Sequence, residues 1–361
     1  YGRQIRELVQ RTAAGLGLSG VRIEVHDKGA LDWVIQARVE AAARELDPSL
    51  TAEALPPVGR PGPDVQVTRD RMRRSRLYLP GNQPDLMINA GLFEPDGVIL
   101  DLEDAVAPPQ KHAARYLVRN ALRAVDFGPT ERMVRINQLP RGLDDLPFAV
   151  EHGAHTILVP KAEQADDVLA VAERIGQLTD SEVFLMPILE SGKGVINAYP
   201  IAAAHPSVVA LAFGAEDFTR DIGAERTRKG TESFVARSQL VLAARAAGVQ
   251  PIDTVFSDVG DEAGLLASTR EAIALGFDGK GCIHPRQVRT IHDAFRPDPA
   301  AVVHAHRVQQ AMQEAEARGD GAVALGRKMI DPPVVARALR TLKLAAFYGM
   351  DPEQLSQEVN R

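Results

Sequence analysis

The chain has 361 residues, of which 45% are hydrophobic and 25% are charged, and its formal net charge is −6. These values are ordinary for a globular protein with room for one large domain and a smaller one. They argue against a nucleic-acid partner, which needs clustered basic residues to neutralise phosphates, and the short basic segment 69–76 is interpreted as a linker edge. No apolar window approaches the ~18 residues of a membrane span. The single cysteine, Cys282, favours a reducing compartment, so we expect a cytoplasmic protein.

The first 46 residues predict two helices and a strand. Helical apolar spacing covers residues 5–16 and 30–46, and the alternation of Val21, Ile23 and Val25 predicts a strand over 20–26. About 45 residues are too few for an independent core, so we expect this domain to be incomplete or docked. Because the chain opens at Tyr1 and not at methionine, we expect that residues before it were cleaved or left out.

A proline-rich segment follows over residues 47–70, which is the composition of a linker. Its five prolines are Pro48, Pro56, Pro57, Pro61 and Pro63. At roughly 3 Å per residue an extended linker of this length spans tens of ångströms. We therefore expect residues 1–46 to contact the next domain only loosely.

Eight short apolar runs, most of them separated by helix-like stretches, fill residues 76–284. They cover residues 76–79, 97–103, 132–137, 156–161, 183–189, 208–214, 249–254 and 279–284. Strand and helix repeated eight times predict an α/β fold, a closed parallel (β/α)8 TIM barrel, whose catalytic groups sit at the carboxyl ends of the strands. Those ends carry Asp101, Glu103, Arg135, Lys161, Glu190 and Asp217. This polar cluster predicts an active site and hence an enzyme.

Two further helices are predicted after the barrel, over residues 299–318 and 332–348, joined by a glycine-containing loop over 319–331. A barrel does not need them for closure, so we expect a lid or an element that reaches over a neighbouring subunit. The predicted domains are therefore a fragment over 1–46, a linker over 47–70, the barrel over 71–296 and a helical extension over 297–361.

Glu190 and Asp217 each follow an apolar strand and are predicted to project into the same barrel mouth. Two hard oxygen ligands with no His or Cys nearby suit Mg²⁺, which takes one or two carboxylates and keeps several waters. The alternative is that each carboxylate caps a following helix, because acidic residues favour helix N-termini.

Asp101, Glu103 and Asp104 place three carboxylates at the end of the second strand. Such a cluster repels itself unless a cation, a basic group or a metal-bound water lies between its members. Arg135 lies within an apolar strand, where an unpaired charge is expensive. One interpretation is that Arg135 binds a substrate carboxylate through two hydrogen bonds, and the alternative is a salt bridge to Glu103 or Asp104.

Lys161 ends the fourth strand and could form a Schiff base, but the metal carboxylates favour electrostatic support, including substrate binding, or an ion pair. Cys282 and His284, in and after the eighth strand, have no acid or amide partner beside them in the sequence. Both are interpreted as packing residues.

Several ordered motifs resemble the beta subunit of citrate lyase. They are RRSRLYLPGN at 73–82, LDLEDAV at 100–106, RIN at 135–137, GAED at 214–217, DTVFSD at 253–258 and GRKMID at 326–331. The resemblance spans residues 71–348. It implies a Mg²⁺-dependent carbon–carbon lyase of the barrel superfamily that also contains malyl-CoA and citramalyl-CoA lyases.

The resemblance also implies roles for individual residues. Arg74, Pro80 and Gly81 would lie near the pantetheine arm of the thioester substrate, and Arg135 would hold a substrate carboxylate. Asp331 holds the position of the proton-transfer aspartate that reaches a neighbouring subunit's site. The alternative for Asp331 is an N-cap of the last predicted helix, because proline follows it.

The N-terminal fragment resembles something different, the second half of the citrate lyase gamma subunit, an acyl carrier protein. The matching segments are YGRQIR at 1–6 and VHDKGALDW at 25–33. This resemblance implies a phosphoribosyl-dephospho-CoA group on a carrier segment that this chain lacks. Ser19, Ser49 and Ser75 do not occupy the attachment motif.

The expected function is Mg²⁺-dependent cleavage of a citryl thioester to oxaloacetate and an acetyl thioester. The resemblance also implies the transferase (alpha) subunit as a partner and a trimer-based homo-oligomer. Two alternatives remain open: a malyl-CoA or citramalyl-CoA lyase acting on free thioesters, and a non-catalytic carrier or assembly subunit. A fused carrier favours the first function over the second, and intact Glu190, Asp217 and Arg135 argue against the third.

Overall fold

A computed structural model describes residues 2–59, 65–318, 323–325 and 328–359 of the protein. The chain divides into two compact units, Tyr1–Ile291 and His292–Arg361. The first unit contains the barrel and the N-terminal helices, and the second contains the C-terminal helices.

Eight parallel strands close into a barrel in chain order. They are β1 (Ser75–Pro80), β2 (Gly97–Asp101), β3 (Glu131–Arg135), β4 (Thr156–Val159), β5 (Phe184–Leu189), β6 (Ala210–Phe213), β7 (Gln250–Asp253) and β8 (Gly279–Cys282). Closure occurs between β1 and β8, where Arg76 lies opposite Gly281. The predicted (β/α)8 barrel is confirmed, and each predicted apolar run overlaps one strand.

Helices flank the strands and form the two ends of the chain. They are α1 (Gly2–Gly15), α2 (Asp32–Leu46), α3 (Pro84–Met87), α4 (Lys111–Ala124), α5 (Pro147–Val150), α6 (Ala165–Leu178), α7 (Gly192–Ile196), α8 (Ala198–Ala202), α9 (Ala215–Asp221), α10 (Phe234–Ala247), α11 (Glu262–Leu275), α12 (Arg286–Phe295), α13 (Pro299–Arg318), α14 (Pro332–Phe347) and α15 (Pro352–Val359). Short 3-10 turns cover Ala90–Phe93, Pro108–Gln110 and Arg141–Asp144.

The barrel interior is filled by buried apolar side chains from successive strands. Ile99, Met133, Leu158, Met186 and Ile252 form one cluster there, and all five are fully buried. Because helices cover the outside of the barrel as well, the strands are apolar on both faces and appear in the sequence as continuous apolar runs. This is why the eight strands could be predicted from the sequence.

The N-terminal segment is docked on the barrel through α2 and α4. Trp33 is 6% exposed, and its carbonyl accepts a hydrogen bond from Asn120 Nδ2 at 3.0 Å. Arg119 of α4 and Glu40 of α2 form an ion pair at 2.6 Å, and both side chains are fully buried. The prediction of loose docking is therefore wrong for α2, because a desolvated ion pair and an apolar side chain fix it in place.

Residues 20–26 form no strand, so that prediction is wrong. Val21, Ile23 and Val25 are 49%, 37% and 41% exposed. Alternation alone does not make a strand, because a strand needs a neighbour for its backbone hydrogen bonds, and no strand pairs with this segment among the described residues.

The first part of the predicted linker runs along α4. Gly59 N donates to Arg123 O at 2.7 Å, and Arg123 Nε donates to Pro56 O at 3.2 Å. Pro61, Gly62 and Pro63 lie outside the described residues.

In the second unit, α13 packs against α14 and buries Val308 and Ala338. Between these helices, where a loop was predicted, β9 (Val323–Leu325) and β10 (Lys328–Ile330) pair antiparallel. Residues 319–322, 326 and 327 of the predicted loop lie outside the described residues. Across the described parts of both units, every helix is too short or too polar to span a membrane.

Candidate active site

A cavity of about 350 Å³ opens at the carboxyl ends of the barrel strands. Its walls include Asp101 and Arg135 from β2 and β3, Glu190 after β5 and Asp217 in α9. The structure thus brings together four residues that the sequence predicted at strand ends, because parallel strands all end at the same rim of the barrel.

Arg135 is held by two carboxylates. Its Nε and one terminal nitrogen donate to the two oxygens of Asp101 at 2.7 and 2.6 Å, and the other terminal nitrogen lies 3.1 Å from Glu103 Oε2. Burial lowers the pKa of Arg135, but the hydrogen bonds and charge of Asp101 outweigh it, so the net pKa is raised. The salt-bridge alternative is therefore correct for Glu103, with Asp101 as the closer partner. The guanidinium also lies over the Tyr78 ring, 5.3 Å from its centroid.

Lys161 is an ion-pair residue at the same rim. Its Nζ contacts Glu103 Oε1 and lies 3.6 Å from Asp104 Oδ2 and 3.6 Å from Asp217 Oδ2. Burial lowers the pKa of Lys161, but the hydrogen bond and charge of Glu103 raise it above its ordinary value. A Schiff base needs a neutral amine, so this arrangement disfavours one and favours electrostatic support.

Glu190 is a buried carboxylate, 5% exposed, that accepts a hydrogen bond from Lys161 N at 2.7 Å. Burial and the negative charges of Glu103 and Asp217 raise the pKa of Glu190 to about 7. Its position depends on Gly214, because a Cβ there would come within 2.5 Å of Glu190 Oε2. A carboxylate held this way in a negative field has an affinity for a cation.

The helix-cap alternative is wrong for Glu190. The helix that follows, α7, begins after Ser191, whose hydroxyl accepts a hydrogen bond from Gly194 N at 3.1 Å and is itself the cap. Asp217 lies in the first turn of α9, where a carboxylate is favourable, but it makes no capping hydrogen bond. Its oxygens instead face Arg220 at 2.8 Å and Lys161.

The remaining carboxylates at the rim are held by the backbone and by Lys161. Asp101 accepts hydrogen bonds from Glu103 N at 2.9 Å and Ala105 N at 3.2 Å. Burial raises the pKa of Glu103. Burial also acts to raise the pKa of Asp104, but the charge of Lys161 and a hydrogen bond with Glu103, together with the charge of Arg135, lower it below its ordinary value. The mutual repulsion of the three carboxylates predicted from the sequence is thus offset mainly by the positive charges of Arg135 and Lys161.

The arrangement fits a hard divalent cation bound by two protein carboxylates. Within the described part of the chain, no three His, Cys, Asp or Glu side chains are grouped as a metal site. Mg²⁺ does not require such a cage, because it usually keeps several waters and takes one or two carboxylates. The raised pKa of Glu190 reflects its burial and, after that, the negative charges of Glu103 and Asp217, and a bound cation would favour the ionised carboxylate.

Sequence reasoning missed two groups at this site. Lys111 of α4 donates from Nζ to the carbonyls of Leu102 and Glu103 at 2.9 and 2.6 Å and to Asn137 Oδ1 at 2.5 Å, so it fixes the loop after β2. Arg76 of β1 was included in the basic linker edge, although it lines the cavity. An arginine inside an apolar strand was the available signal, as it was for Arg135.

The prediction that Arg74 contacts the substrate is wrong. Arg74 comes before β1, and its Nε and terminal nitrogen donate to Asp96 at 2.8 and 2.7 Å. Asp96 in turn precedes β2, so this buried pair lies at the amino ends of the strands, opposite the cavity. The motif placed Arg74 close to the site in sequence, but the length of β1 separates them.

Pro80 and Gly81 do lie at the carboxyl end of β1. Gly81 N donates to Asp101 O at 2.8 Å, and a Cβ at Gly81 would come within 2.6 Å of that oxygen. The turn can therefore approach β2 closely only with glycine at this position. The predicted contact of Pro80 and Gly81 with a substrate arm stays a prediction.

Cys282 and His284 fit the packing interpretation. Cys282 is fully buried, and burial raises the pKa of its thiol to about 12, which keeps it protonated. His284 Nδ1 accepts a hydrogen bond from Arg286 N at 3.2 Å at the start of α12.

Asp331 belongs to the second unit, where it precedes α14. Its backbone has the extended conformation of an N-cap, but its side chain makes no capping hydrogen bond and is exposed. The cap is thus one of position only, and the carboxylate is available for another role. Its predicted role in proton transfer stays a prediction.

Comparisons with known proteins agree with this geometry. The model of the HpcH/HpaI aldolase/citrate lyase family matches residues 74–285, and an acyl carrier model described as the malonate decarboxylase delta subunit matches residues 1–46. The citrate lyase beta subunit of Leuconostoc mesenteroides subsp. cremoris is 38% identical over 77% of this chain and 95% of its own length. Human mitochondrial citramalyl-CoA lyase is 33% identical over 76% of this chain and 85% of its own length.

Solved structures give the same result. The Mycobacterium tuberculosis CitE protein in complex with magnesium, acetoacetate and coenzyme A has a TM-score of 0.62 and 33% identity, over 77% of this chain and all of that chain. The citrate lyase beta subunit of the same organism with oxaloacetate and magnesium has a TM-score of 0.55 and 33% identity, over 63% of this chain and 99% of that chain. The chain belongs to the HpcH/HpaI aldolase/citrate lyase family.

Proposed function

We propose that this protein is a Mg²⁺-dependent lyase that cleaves a citryl thioester to oxaloacetate and an acetyl thioester. One observation carries the proposal: Glu190 and Asp217 line one cavity with Arg135, in a barrel of the citrate lyase family. Carboxylates that outnumber their cations at a barrel mouth are suited to a divalent metal and not to an imine mechanism. The two Mycobacterium tuberculosis structures named above contain magnesium, which supports the same choice of metal.

In this reaction the bond between the hydroxyl-bearing carbon of citrate and the methylene beside the thioester breaks. The hydroxyl loses its proton and becomes the ketone of oxaloacetate, and the bonding electrons form the enolate of the acetyl thioester. That enolate then takes a proton at carbon. When bound, Mg²⁺ would supply Lewis-acid stabilisation of the oxygen that becomes the ketone. Glu190 and Asp217 are the residues that would hold it.

The protein's own residues position the substrate around this centre. Arg135 is rigid, because Asp101 and Glu103 bind three of its nitrogens, so it presents a fixed positive group to a substrate carboxylate. Lys161 balances Glu103 and Asp104 beside it. Fixed charges of this kind stabilise developing charge without reorganisation during the reaction.

Asp331 is proposed as the proton-transfer residue, acting in the site of a neighbouring subunit. Its exposed carboxylate with no capping hydrogen bond supports this role. The oligomer would then be trimer-based, with each site completed by an adjacent chain. Lys161, Pro80 and Gly81 are retained as proposed substrate-contact residues at the rim.

We propose the domain organisation 1–46, 47–70, 71–296 and 297–361, in which residues 1–46 are part of an acyl carrier. The phosphoribosyl-dephospho-CoA group would be attached to the first half of the same acyl carrier, of which residues 1–46 resemble the second half, and the transferase (alpha) subunit would be the partner that supplies the acyl group. The match of residues 1–46 to an acyl carrier model supports this assignment. The buried, protonated Cys282 agrees with a cytoplasmic location.

The test measures oxaloacetate release from citryl-CoA, with malate dehydrogenase and NADH as the reporter, in Mg²⁺ and in EDTA. Citramalyl-CoA and malyl-CoA are offered in parallel, with release of pyruvate and glyoxylate measured. We expect Mg²⁺-dependent oxaloacetate release to be the fastest reaction. Faster cleavage of citramalyl-CoA would make the protein a citramalyl-CoA lyase, and no cleavage of any thioester would favour an assembly subunit.

A further inference from the structure

Arg76 is a buried cation with no anionic partner among the described residues. Its side chain is 1% exposed, and its one described side-chain hydrogen bond runs from a terminal nitrogen to Met186 Sδ at 3.0 Å. Its Nε has no partner within the described part of the chain, and none of the ion pairs there includes it. A thioether is a weak acceptor, so the guanidinium is desolvated without compensation.

Other buried arginines of the first unit are paired. Arg73 pairs with Glu131, Arg119 with Glu40, and Arg237 with Asp253. Arg76 lies three residues after Arg73 but has no comparable ion pair among the described residues. An isolated buried charge costs several kcal/mol, so its presence needs a compensating partner that the described chain does not supply.

Arg76 also differs from Arg73 and Arg119 in facing the active-site cavity. The cavity that contains Glu190 and Asp217 at its rim is lined by Arg76 and Tyr78 of β1. Room for a ligand exists at this depth because β8 carries Gly281 opposite Arg76. A Cβ at Gly281 would come within 2.8 Å of Val255 and 3.4 Å of Tyr78, both of which line the same cavity.

The second arginine of the cavity is already occupied. Arg135 makes close contacts with three carboxylate oxygens of Asp101 and Glu103, so it has little capacity for two substrate carboxylates. A citryl thioester carries two free carboxylates, one on the hydroxyl-bearing carbon and one on the distal methylene. The first adjoins the oxygen that the metal would hold, and the second needs a cation of its own.

We propose that Arg76 is the specificity-determining residue that binds the distal carboxylate of the substrate's oxaloacetate half. The inference rests on the proposed function and deepens it. A guanidinium matches a carboxylate with two parallel hydrogen bonds, which would satisfy the unpaired Nε. A citramalyl thioester has a methyl group where a citryl thioester has this carboxymethyl group, so it leaves Arg76 unpaired. Arg76 therefore selects citryl over citramalyl thioesters.

The test compares the wild type with Arg76→Met, which removes the charge and keeps an unbranched apolar chain beside Met186. We expect kcat/KM for citryl-CoA to fall about 100-fold, because a charged hydrogen-bonding partner is lost. The kcat/KM for citramalyl-CoA should stay level or rise. The melting temperature should not fall, because an uncompensated buried charge is removed. Arg245→Met, which removes a partly exposed arginine paired with Asp278, is the matched control and should change neither kcat/KM value.

Ligand binding supplies a readout that does not depend on turnover. Oxaloacetate and pyruvate differ by the distal carboxylate, and their affinities in Mg²⁺ are measured by calorimetry for both proteins. The wild type should prefer oxaloacetate, and Arg76→Met should lose most of that preference. Arg76→Gln provides the same comparison if Arg76→Met does not fold.

The outcomes separate this inference from the proposed function. One outcome is that the wild type cleaves neither thioester but binds oxaloacetate more tightly than pyruvate, and Arg76→Met loses this preference. The proposed lyase function would then be wrong, and the proposed carboxylate subsite at Arg76 would be supported. If citryl-CoA is cleaved normally and the variant keeps its preference for citryl-CoA and oxaloacetate, the subsite is wrong. An equal loss for both thioesters with a lower melting temperature would make Arg76 a structural residue and also overturn it.

Discussion

The barrel mouth and the contact between α2 and α4 both bury charged side chains, but only the second balances them. At the α2–α4 contact, Glu40 accepts from Arg119 at 2.6 and 3.0 Å, from Arg44 at 3.2 Å and from Ala54 N at 2.8 Å. At the mouth, carboxylates outnumber the cations they pair with, and the pKa of Glu190 rises to about 7.

This difference in charge balance distinguishes buried charges that stabilise the fold from buried charges that are suited to bind a ligand. Breaking a buried ion pair lowers stability, because removal of one charged side chain leaves the other buried without a counter-charge. A buried charged side chain without a full counter-charge already destabilises the folded protein. Its removal should therefore weaken ligand binding more than it lowers stability. The two regions should therefore respond in opposite ways to removal of a charge.

The largest expected effect is at the mouth. Glu190→Gln and Asp217→Asn should each lower Mg²⁺-dependent cleavage on the order of 10³-fold, because each removes a charged metal ligand worth several kcal/mol in the transition state. Steady-state kinetics and Mg²⁺ calorimetry measure the loss, and thermal unfolding should change little. Glu173→Gln, an exposed carboxylate of α6, is the control. Near-full activity of either variant at low Mg²⁺ would refute the ligand assignment.

The α2–α4 contact should show the reverse pattern. Arg119→Met removes the two-hydrogen-bond partner of the buried Glu40 carboxylate. It should lower the free energy of undocking or unfolding of α2 by about 3–5 kcal/mol, while kcat/KM stays within roughly twofold. Hydrogen exchange of residues 32–46 and denaturant unfolding provide the measurement. The double variant Arg119→Met with Glu40→Leu should recover most of the loss.

Arg245→Met breaks a more exposed pair with Asp278 and should cost under about 1 kcal/mol, so it is the control for this comparison. Unchanged protection of residues 32–46 in Arg119→Met would show that the ion pair does not hold α2 in place. The segment would then be free to move as the linker composition first suggested.

A third experiment tests whether all catalytic residues of one active site come from a single chain. Asp331→Asn and Glu190→Gln chains, each inactive alone, are mixed after subunit exchange has been demonstrated by mass spectrometry. If Asp331 serves a neighbour's site, about a quarter of sites in an equal mixture combine both intact residues, and about that share of activity returns. Exchange without recovery would place Asp331 in its own subunit's site or outside catalysis.

The smallest predicted effect concerns pH. The pKa of Glu190 is about 7, so a metal must displace its proton below that pH and meets a carboxylate above it. Mg²⁺ affinity should therefore rise severalfold, by at most about tenfold, from pH 6 to pH 7 and level off by pH 8. Calorimetry at these pH values measures the affinity, and the same titration of Glu173→Gln controls for the effect of surface charge. A flat affinity profile would mean that Glu190 is already ionised or is not a ligand.

The sequence by itself determined the barrel and most of its rim. Strands covered on both faces must be apolar throughout, so all eight appeared as apolar runs, and parallel strands end at one rim, which brought Asp101, Arg135, Glu190 and Asp217 together. These features follow from local composition and the direction of the chain. The charges that follow the strands could therefore be assigned before any contact was known.

Only the tertiary structure decided which charges are paired. Arg74, Arg76 and Arg119 look alike in the sequence, but one is paired with Asp96 at the far end of the barrel, one has no described ion pair in the cavity and one joins α2 to α4. Residues 20–26 alternate like a strand but have no strand beside them in the described chain. Ion pairing and strand pairing depend on partners distant in the chain, and these partners are set by packing and not by local pattern.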